Sequence, residues 1–258
     1  MAEKNMSVVD HMEELRRRIL FVGAFLLAAM ILGLFLAPGI ISYLQSTPEA
    51  EDFPMNVFKL TDPLKLYMNF AFFIGLIVVF PLLLFQLWAF ISPGLMEKER
   101  KVTLAYIPVA TLLFFGGLAF AYFILFPNVI LFLSNLSDRL NVTEQYGVND
   151  YFAFLLQLTL PFGFLFQLPV VIMFLTRLGL VTPAWLRHVR KYAYFALLVI
   201  AGFITPPEIV SHVMVTLPLF ILYEISILVS RFSYKKVLKA EQEKMEQWAK
   251  EDKERNIK

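Results

Sequence analysis

The chain contains no cysteine among its 258 residues. Disulfide bonds, thiolate metal sites and a cysteine nucleophile are therefore excluded. Charge is also scarce, because only 17% of the residues are charged and the formal net charge is +2. This small positive excess gives no support for nucleic-acid binding. Histidine is rare too, and the spacing of His11, His188 and His212 predicts no metal site.

Common catalytic motifs are also absent from the sequence. It has no H-E-x-x-H motif, no serine–histidine constellation and no phosphate-binding glycine loop. We therefore predict a protein that is not an enzyme and holds no cofactor. A secondary transporter of a small solute stays open as an alternative, since Gln167 and Glu224 lie inside apolar runs. That class usually shows internal repeats, and we find none here.

Apolar residues make up 59% of the chain, and the mean hydropathy is +0.67. A membrane helix needs about 20 mainly apolar residues to cross the hydrocarbon core. Five segments meet or approach that length, and a sixth, 192–204, is clearly short. The sequence thus predicts an all-α integral membrane protein with six transmembrane helices, at 19–37, 66–91, 102–126, 151–176, 192–204 and 209–229.

The basic residues indicate the orientation of these helices. One side of the six-span arrangement holds 20 of the 23 Lys and Arg residues, in segments 1–18, 92–101, 177–191 and 230–258. The other side holds only Lys59, Lys65 and Arg139. Cytoplasmic loops of membrane proteins carry the excess of Lys and Arg. The sequence therefore predicts that both termini lie in the cytoplasm.

Proline and span length predict the shape and extent of the membrane domain. Prolines tend to bend helices, and five lie inside the predicted spans: Pro81, Pro108, Pro161, Pro169 and Pro218. We expect bent helices in a concave bundle, with spans five and six short. Residues 40–44, after Pro38-Gly39, suggest a separate amphipathic helix on the outer surface. We predict one membrane domain over 1–236 and a charged cytoplasmic tail over 237–258.

Two polar blocks lie at the predicted cytoplasmic boundary. The first is His11-Met-Glu-Glu-Leu-Arg-Arg-Arg18, where a helix places Glu14 three and four residues from Arg17 and Arg18. The charges alone favour a solvated helix start that is paired internally. The second block is Phe90-Ile-Ser-Pro-Gly-Leu-Met-Glu-Lys-Glu-Arg-Lys101, for which a tight inner loop is the simplest interpretation.

The sequence resembles the TatC family, the multi-spanning core of the twin-arginine protein translocase. The resemblance covers about residues 7–236. Its motifs occur in order at the predicted span boundaries: the block 11–18, Gln86-Leu-Trp-Ala-Phe-Ile-Ser-Pro-Gly-Leu, Lys98-Glu-Arg-Lys, Phe120-Ala-Tyr-Phe-Ile-Leu-Phe-Pro127 and Phe203-Ile-Thr-Pro-Pro-Glu208. Any one of these motifs is weak alone, whereas the ordered set is specific.

The resemblance implies a site for the paired arginines of a signal peptide on folded cargo. Glu14 and Glu99 match the family's recognition carboxylates, and Phe90 and Pro93 match the motif that shapes the loop after span two. A carboxylate can hold a guanidinium bidentately, so two arginines call for two acidic acceptors. Neighbouring basic residues are expected to orient those acceptors or to meet anionic lipid: Arg16, Arg17, Arg18, Arg100 and Lys101.

The resemblance also implies partners and a location. Gln167 stands where relatives often carry Glu on the concave face, and a neutral amide supplies no charge there. Thr205, Glu208 and His212 match a polar patch where single-span subunits, TatA and possibly TatB, dock. Transport would draw energy from the membrane potential or proton gradient. We expect a multi-pass protein of the bacterial cytoplasmic membrane, in contact with lipid and with other copies of itself. Glu224 has no assigned role.

Overall fold

The computed structural model describes residues 8–47, 55–94, 97–139, 145–205 and 209–255, and within α3 (Glu97–Leu104) and the C-terminal helix it leaves some side chains undescribed. These residues are almost entirely helical, as the sequence predicts. The chain divides into two compact units, Met1–Gly163 and Phe164–Lys258. The division falls inside the fourth apolar stretch, and each unit is described by itself below.

The first unit is built from long apolar helices. Its helices in chain order are α1 (Val8–Gln45), α2 (Asp62–Ile91), α3, α4 (Tyr106–Phe120), α5 (Phe126–Arg139) and α6 (Val148–Leu165). A 3-10 turn, Ser92–Gly94, follows α2, and a π-helical turn, Ala121–Leu125, joins α4 to α5.

Two of the prolines interrupt their spans, and the reason is steric. A proline ring clashes with the carbonyl of the residue four positions earlier. In agreement with that rule, α3 ends at Leu104, four residues before Pro108, and α6 ends at Leu165, four residues before Pro169. The other prolines of the predicted spans lie inside continuous helices: Pro81, Pro161 and Pro218.

Small residues bring α1 and α2 into close contact. A Cβ added to Gly33 would lie 2.7 Å from the Ala71 carbonyl oxygen, and one added to Gly75 would lie 2.9 Å from Met30 Cγ. Such small-residue contacts let two membrane helices approach backbone to backbone. The pairs Gly33–Ala71 and Met30–Gly75 also fix an antiparallel register between the two helices.

A short ladder connects two segments that the sequence analysis treats only as outer loops. Strand β1 (Met55–Asn56) pairs in parallel with β2 (Tyr146–Gly147), with Met55 opposite Tyr146. A nearby turn is closed by Asp62, whose carboxylate accepts the Lys59 backbone N–H at 2.8 Å. The segment before α2 is therefore tied to the segment before α6.

The second unit begins at Phe164, in the last turn of α6. Its helices are α7 (Leu168–Arg177), α8 (Pro183–His188), α9 (Arg190–Ile204) and α10 (Ile209–Arg255). Thr182 caps α8, because its Oγ1 accepts the Trp185 N–H at 3.2 Å. Packing of α7 on α10 includes a buried hydroxyl contact, Thr176 to Ser230 at 2.8 Å.

Five helical stretches of the described residues are long and apolar enough to cross a membrane: Asp10–Gln45, Asp62–Gly94, Val102–Ser137, Val148–Arg177 and Ile209–Lys239. They contain five of the six predicted spans. The remaining predicted span is α9, whose 15 residues are short, as expected. Orientation, a sixth crossing and a concave bundle stay predictions.

Two helix bounds differ from the sequence analysis. Residues 40–44 form no separate helix, because α1 continues through Pro38 to Gln45. The sixth predicted span and the charged tail form one continuous helix, since α10 runs for 47 residues; a short sixth span stays a prediction. Lys- and Glu-rich sequence without proline or glycine keeps good helix propensity past the apolar stretch, which explains the extension.

Candidate functional site

The first polar block folds into the start of α1, where Glu14 is already paired within the chain. Glu14 Oε1 accepts two N–H groups of Arg18, one of them from Nε at 3.0 Å. Arg18 Nη1 also donates to Gln86 Oε1 on α2 at 2.7 Å, and Nη2 reaches the Ala89 carbonyl at 3.4 Å. This internal pairing is the arrangement that the charge pattern alone favours. It also joins α1 to α2.

The second oxygen of Glu14 is differently placed. Glu14 Oε2 is buried and accepts no hydrogen bond within the described part of the chain. It lies 4.0 Å from His11 Nδ1, and the His11 ring stacks on Phe90 with centroids 4.2 Å apart. Glu14, with Arg17, Arg18, Phe21 and Gln86, lines an open cavity of about 360 Å³. One acceptor oxygen of a cavity-lining side chain therefore has no hydrogen-bond partner among the described residues.

The end of α2 also positions α3, which carries Glu99. Trp88 Nε1 donates to Thr103 Oγ1 at 3.1 Å, and the Arg100 guanidinium carbon lies 5.8 Å from the Trp88 ring centroid. Pro93 lies in the 3-10 turn between the helices. Near the end of α2, three residues thus contact the start of α1, namely Gln86, Ala89 and Phe90, while Trp88 contacts α3.

The remaining predicted peptide-binding residues are placed as follows. Arg16 and Arg100 are exposed. The backbone of Glu99 lies on α3, but its side chain is outside the described residues. Gln167 lies in the turn between α6 and α7, where its backbone N–H donates to Phe164 O at 2.9 Å. A shared site for Glu14, Glu99 and Gln167 stays a prediction.

The described docking residues lie at the end of α9 and at the start of α10. Thr205 is 5% exposed, and its hydroxyl donates to the Ala201 carbonyl at 3.0 Å. His212 packs over Gly202, since a Cβ added to Gly202 would lie 3.3 Å from His212 Cε1. Glu208 is outside the described residues. The Thr205 hydroxyl is thus committed within its own helix, which leaves His212 as the more accessible polar group of the pair.

Sequence reasoning assigned no role to Gln86 or to the pairing of Arg18 with it. A signal for Gln86 was present, because a polar residue inside an apolar run of a membrane protein is costly and usually has a partner. The register that selects Arg18 as that partner comes from the tight contact at Gly33 and Gly75, which no single-helix pattern shows.

The chemistry available here is recognition of cations by carboxylate. Within the described residues no group of three or more His, Asp or Glu side chains could hold a metal ion. Glu14 offers a carboxylate with one oxygen paired to Arg18, next to a cavity between the start of α1 and the end of α2. Such a group favours a guanidinium, which is planar and always charged.

Comparison with known proteins gives consistent matches over most of the chain. The family described as Sec-independent protein translocase protein (TatC) matches residues 10–218. The TatC protein of Halalkalibacterium halodurans is 61% identical over 252 residues, covering 98% of this chain and 100% of that protein. TatCy of Bacillus subtilis is 58% identical, covering 93% and 94%. A crystal structure of the twin-arginine translocase receptor TatC is 30% identical, with a TM-score of 0.78 over 86% of this chain and 99% of that one.

Proposed function

This chain belongs to the TatC family of Sec-independent protein translocases, and from that premise we propose that it binds the paired arginines of twin-arginine signal peptides at Glu14 and Glu99. Family membership makes it a membrane protein of a transport complex rather than an enzyme, and it favours translocation over the alternative of small-solute transport. The name of the solved relative, a receptor, supports recognition of a peptide by this chain.

The observation that carries the proposal is the buried Oε2 of Glu14, which accepts no hydrogen bond from the described residues and belongs to a side chain that lines a cavity. A carboxylate oxygen that lacks a donor gains from an incoming guanidinium, because burying an unpartnered charged acceptor is costly. The contacts of Trp88 with Arg100 and Thr103 support a second acceptor nearby, since Glu99 is next to Arg100 in α3.

Arg18 already binds the Glu14 carboxylate, so a peptide arginine must share that carboxylate with it or displace it. A peptide arginine either takes Oε2 while Arg18 keeps Oε1, or it displaces Arg18 from the carboxylate. In both cases Gln86 matters, because it holds the Arg18 guanidinium against α2 at the edge of the cavity that both side chains line. The peptide would therefore meet a site in which one acceptor is held in place by an internal arginine.

We further propose the finer parts of the arrangement. Six spans with both termini in the cytoplasm follow from the Lys and Arg distribution, and the bacterial cytoplasmic membrane is the location. Single-span subunits, TatA and possibly TatB, would dock at Thr205, Glu208 and His212. Several copies of the chain would work in one complex. Arg16 would contact anionic lipid head groups.

The decisive experiment replaces Glu14 by Gln. We expect purified Glu14→Gln protein to bind a twin-arginine signal peptide about 10- to 100-fold more weakly, because a charge-assisted hydrogen bond contributes about 1.5–3 kcal/mol. A peptide with paired lysines should bind wild type more weakly than one with arginines, since lysine lacks the planar fork. The measurement is a peptide titration in detergent or nanodiscs.

Glu13→Gln is the matched control. Glu13 is the exposed neighbour on the same turn of α1, and its substitution removes the same charge without touching the Arg18 contact. Equal affinity of the Glu13 and Glu14 variants would contradict the assignment. A lower melting temperature of Glu14→Gln alone would show that the residue stabilises the helix pair instead.

A further inference from the structure

A polar cluster joins α9 to α10 in the second unit, and it includes the unassigned Glu224. Glu224 Oε2 accepts an N–H of Arg190 at 2.9 Å, and Oε1 accepts the Tyr194 hydroxyl at 2.6 Å. Both donors lie on α9. The Tyr194 ring also stacks on Phe220 of α10, with centroids 4.3 Å apart.

The next residue adds a third contact with the same region. Tyr223 is buried, and its hydroxyl donates to the Leu186 carbonyl of α8 at 2.9 Å. Two consecutive residues of α10 therefore hold both short helices that precede it. These hydrogen bonds lie at the end of α9 where that helix begins.

The contacts at both ends of α9 fit one antiparallel register of α9 on α10. Arg190 lies opposite Glu224, and Gly202, twelve residues further along α9, lies against His212, twelve residues earlier on α10. A shift of α9 by one turn, about 5.4 Å, would break the ion pair and move Gly202 away from the imidazole. The hydrogen bonds thus select a single axial position.

That position matters because α9 is too short to cross a membrane. Its 15 residues span about 22 Å, against about 30 Å of hydrocarbon. Arg190 and Lys191 favour the head-group level at the start of α9. If the start of α9 is held at the head-group level, the missing length of about 8 Å lies at the other end of α9, where Thr205 and His212 are.

We propose that Glu224, Arg190 and Tyr194 form a clamp that fixes the depth of α9, so that Thr205 at the end of α9 and His212 at the start of α10 are held below the outer head groups. The three are positioning residues. The clamp rests on the proposed topology, and its link to partner docking rests on the proposed function. Polar side chains held within the hydrocarbon, here Thr205 and His212, favour binding of a partner helix that brings its own polar side chain.

The test measures depth directly in the full-length protein. A spin label on Phe203→Cys, an exposed position in the last turn of α9, reports its depth in a bilayer by power-saturation electron paramagnetic resonance. We expect Glu224→Gln and Tyr194→Phe each to move the label outward by several ångströms. The charge exchange Arg190→Glu with Glu224→Arg re-forms the ion pair but not the Tyr194 contact, so it should restore part of the original depth, which a merely space-filling role would not explain.

Lys191→Gln is the control, because it removes a neighbouring exposed cation and leaves the cluster intact. An unchanged depth in Glu224→Gln and Tyr194→Phe overturns the clamp. Cross-linking from Thr205→Cys to a single-span subunit is measured in the same variants. A changed depth with unchanged cross-linking would support the clamp and contradict the docking site, so the two failures are distinguishable.

Discussion

At the scale of single residues, the central fact is that Arg18 occupies half of the proposed acceptor. The side chains of Arg18 and Glu14 are 25% and 22% exposed, so their contact is partly shielded from water. A half-buried pair is screened less by salt than a surface pair. Arg18 is thus both a support for Glu14 and a competitor for it, and the two roles predict opposite effects of its removal.

We expect the competing role to prevail. Arg18→Gln should increase the affinity for a twin-arginine peptide about five- to tenfold, or about 1–1.4 kcal/mol, because it frees Oε1 and removes a like charge near the ligand. The measurement is the same peptide titration. Arg231→Gln, at an exposed position of α10, controls for the change in net charge. Weaker binding by Arg18→Gln alone would show instead that Arg18 positions the carboxylate.

The polar residues of this site were predictable from the sequence, but their partners were not. Glu14 stood out because charge is rare and its block precedes an apolar run. The pairing of Arg18 with Gln86 joins residues 68 positions apart, and that depends on the packing of α1 on α2. Similarly, the Glu224 cluster needs the register of α9 on α10. The local sequence pattern predicts the helices, whereas contacts between distant residues determine how the side chains of the site are arranged.

At the scale of helices, Gly33 and Gly75 determine the register of α1 on α2. We expect Gly33→Ala to separate α1 from α2, because the new methyl group would lie 2.7 Å from a backbone carbonyl oxygen that cannot rotate away. Gly23→Ala is the matched control on the same helix, since its Cβ would meet nothing within 4 Å. The thermal midpoint of Gly33→Ala should fall by several degrees, while Gly23→Ala should leave it unchanged.

Because the same register brings Arg18 to Gln86, Gly33→Ala should also weaken peptide binding, although Gly33 lies 15 residues from Arg18, or about 22 Å along α1. Normal binding with a lowered midpoint would show that the site does not depend on the glycine contact.

Helix type was more predictable than helix bounds. Apolar runs of about 20 residues predict helices in lipid with little ambiguity, and the described residues contain them. The break before Pro169 follows from proline sterics, yet Pro38 and Pro81 lie inside continuous helices. Sequence alone does not separate these two outcomes.

At the scale of the whole molecule, the charge distribution predicts sidedness. Single cysteines can report it without background, since the chain has none. We expect Ser46→Cys and Asn135→Cys to react with an impermeant thiol reagent added outside intact cells. Met12→Cys and Lys239→Cys should react only after the membrane is permeabilised. Labelling of Met12→Cys from outside would overturn the orientation, and with it the cytoplasmic peptide site.

The length of α10 has a mechanical consequence. The Thr176–Ser230 contact holds the helix at a point with about 21 residues before it and about 25 after it, arms of roughly 31 and 37 Å. No glycine or proline follows Ser230 before Arg255, so the longer arm has no built-in hinge. The part of α10 beyond Ser230 is therefore one continuous arm. We expect a partner that displaces the start of α10 to move this arm as well, which spin-label distances between Leu180→Cys and Met245→Cys would detect.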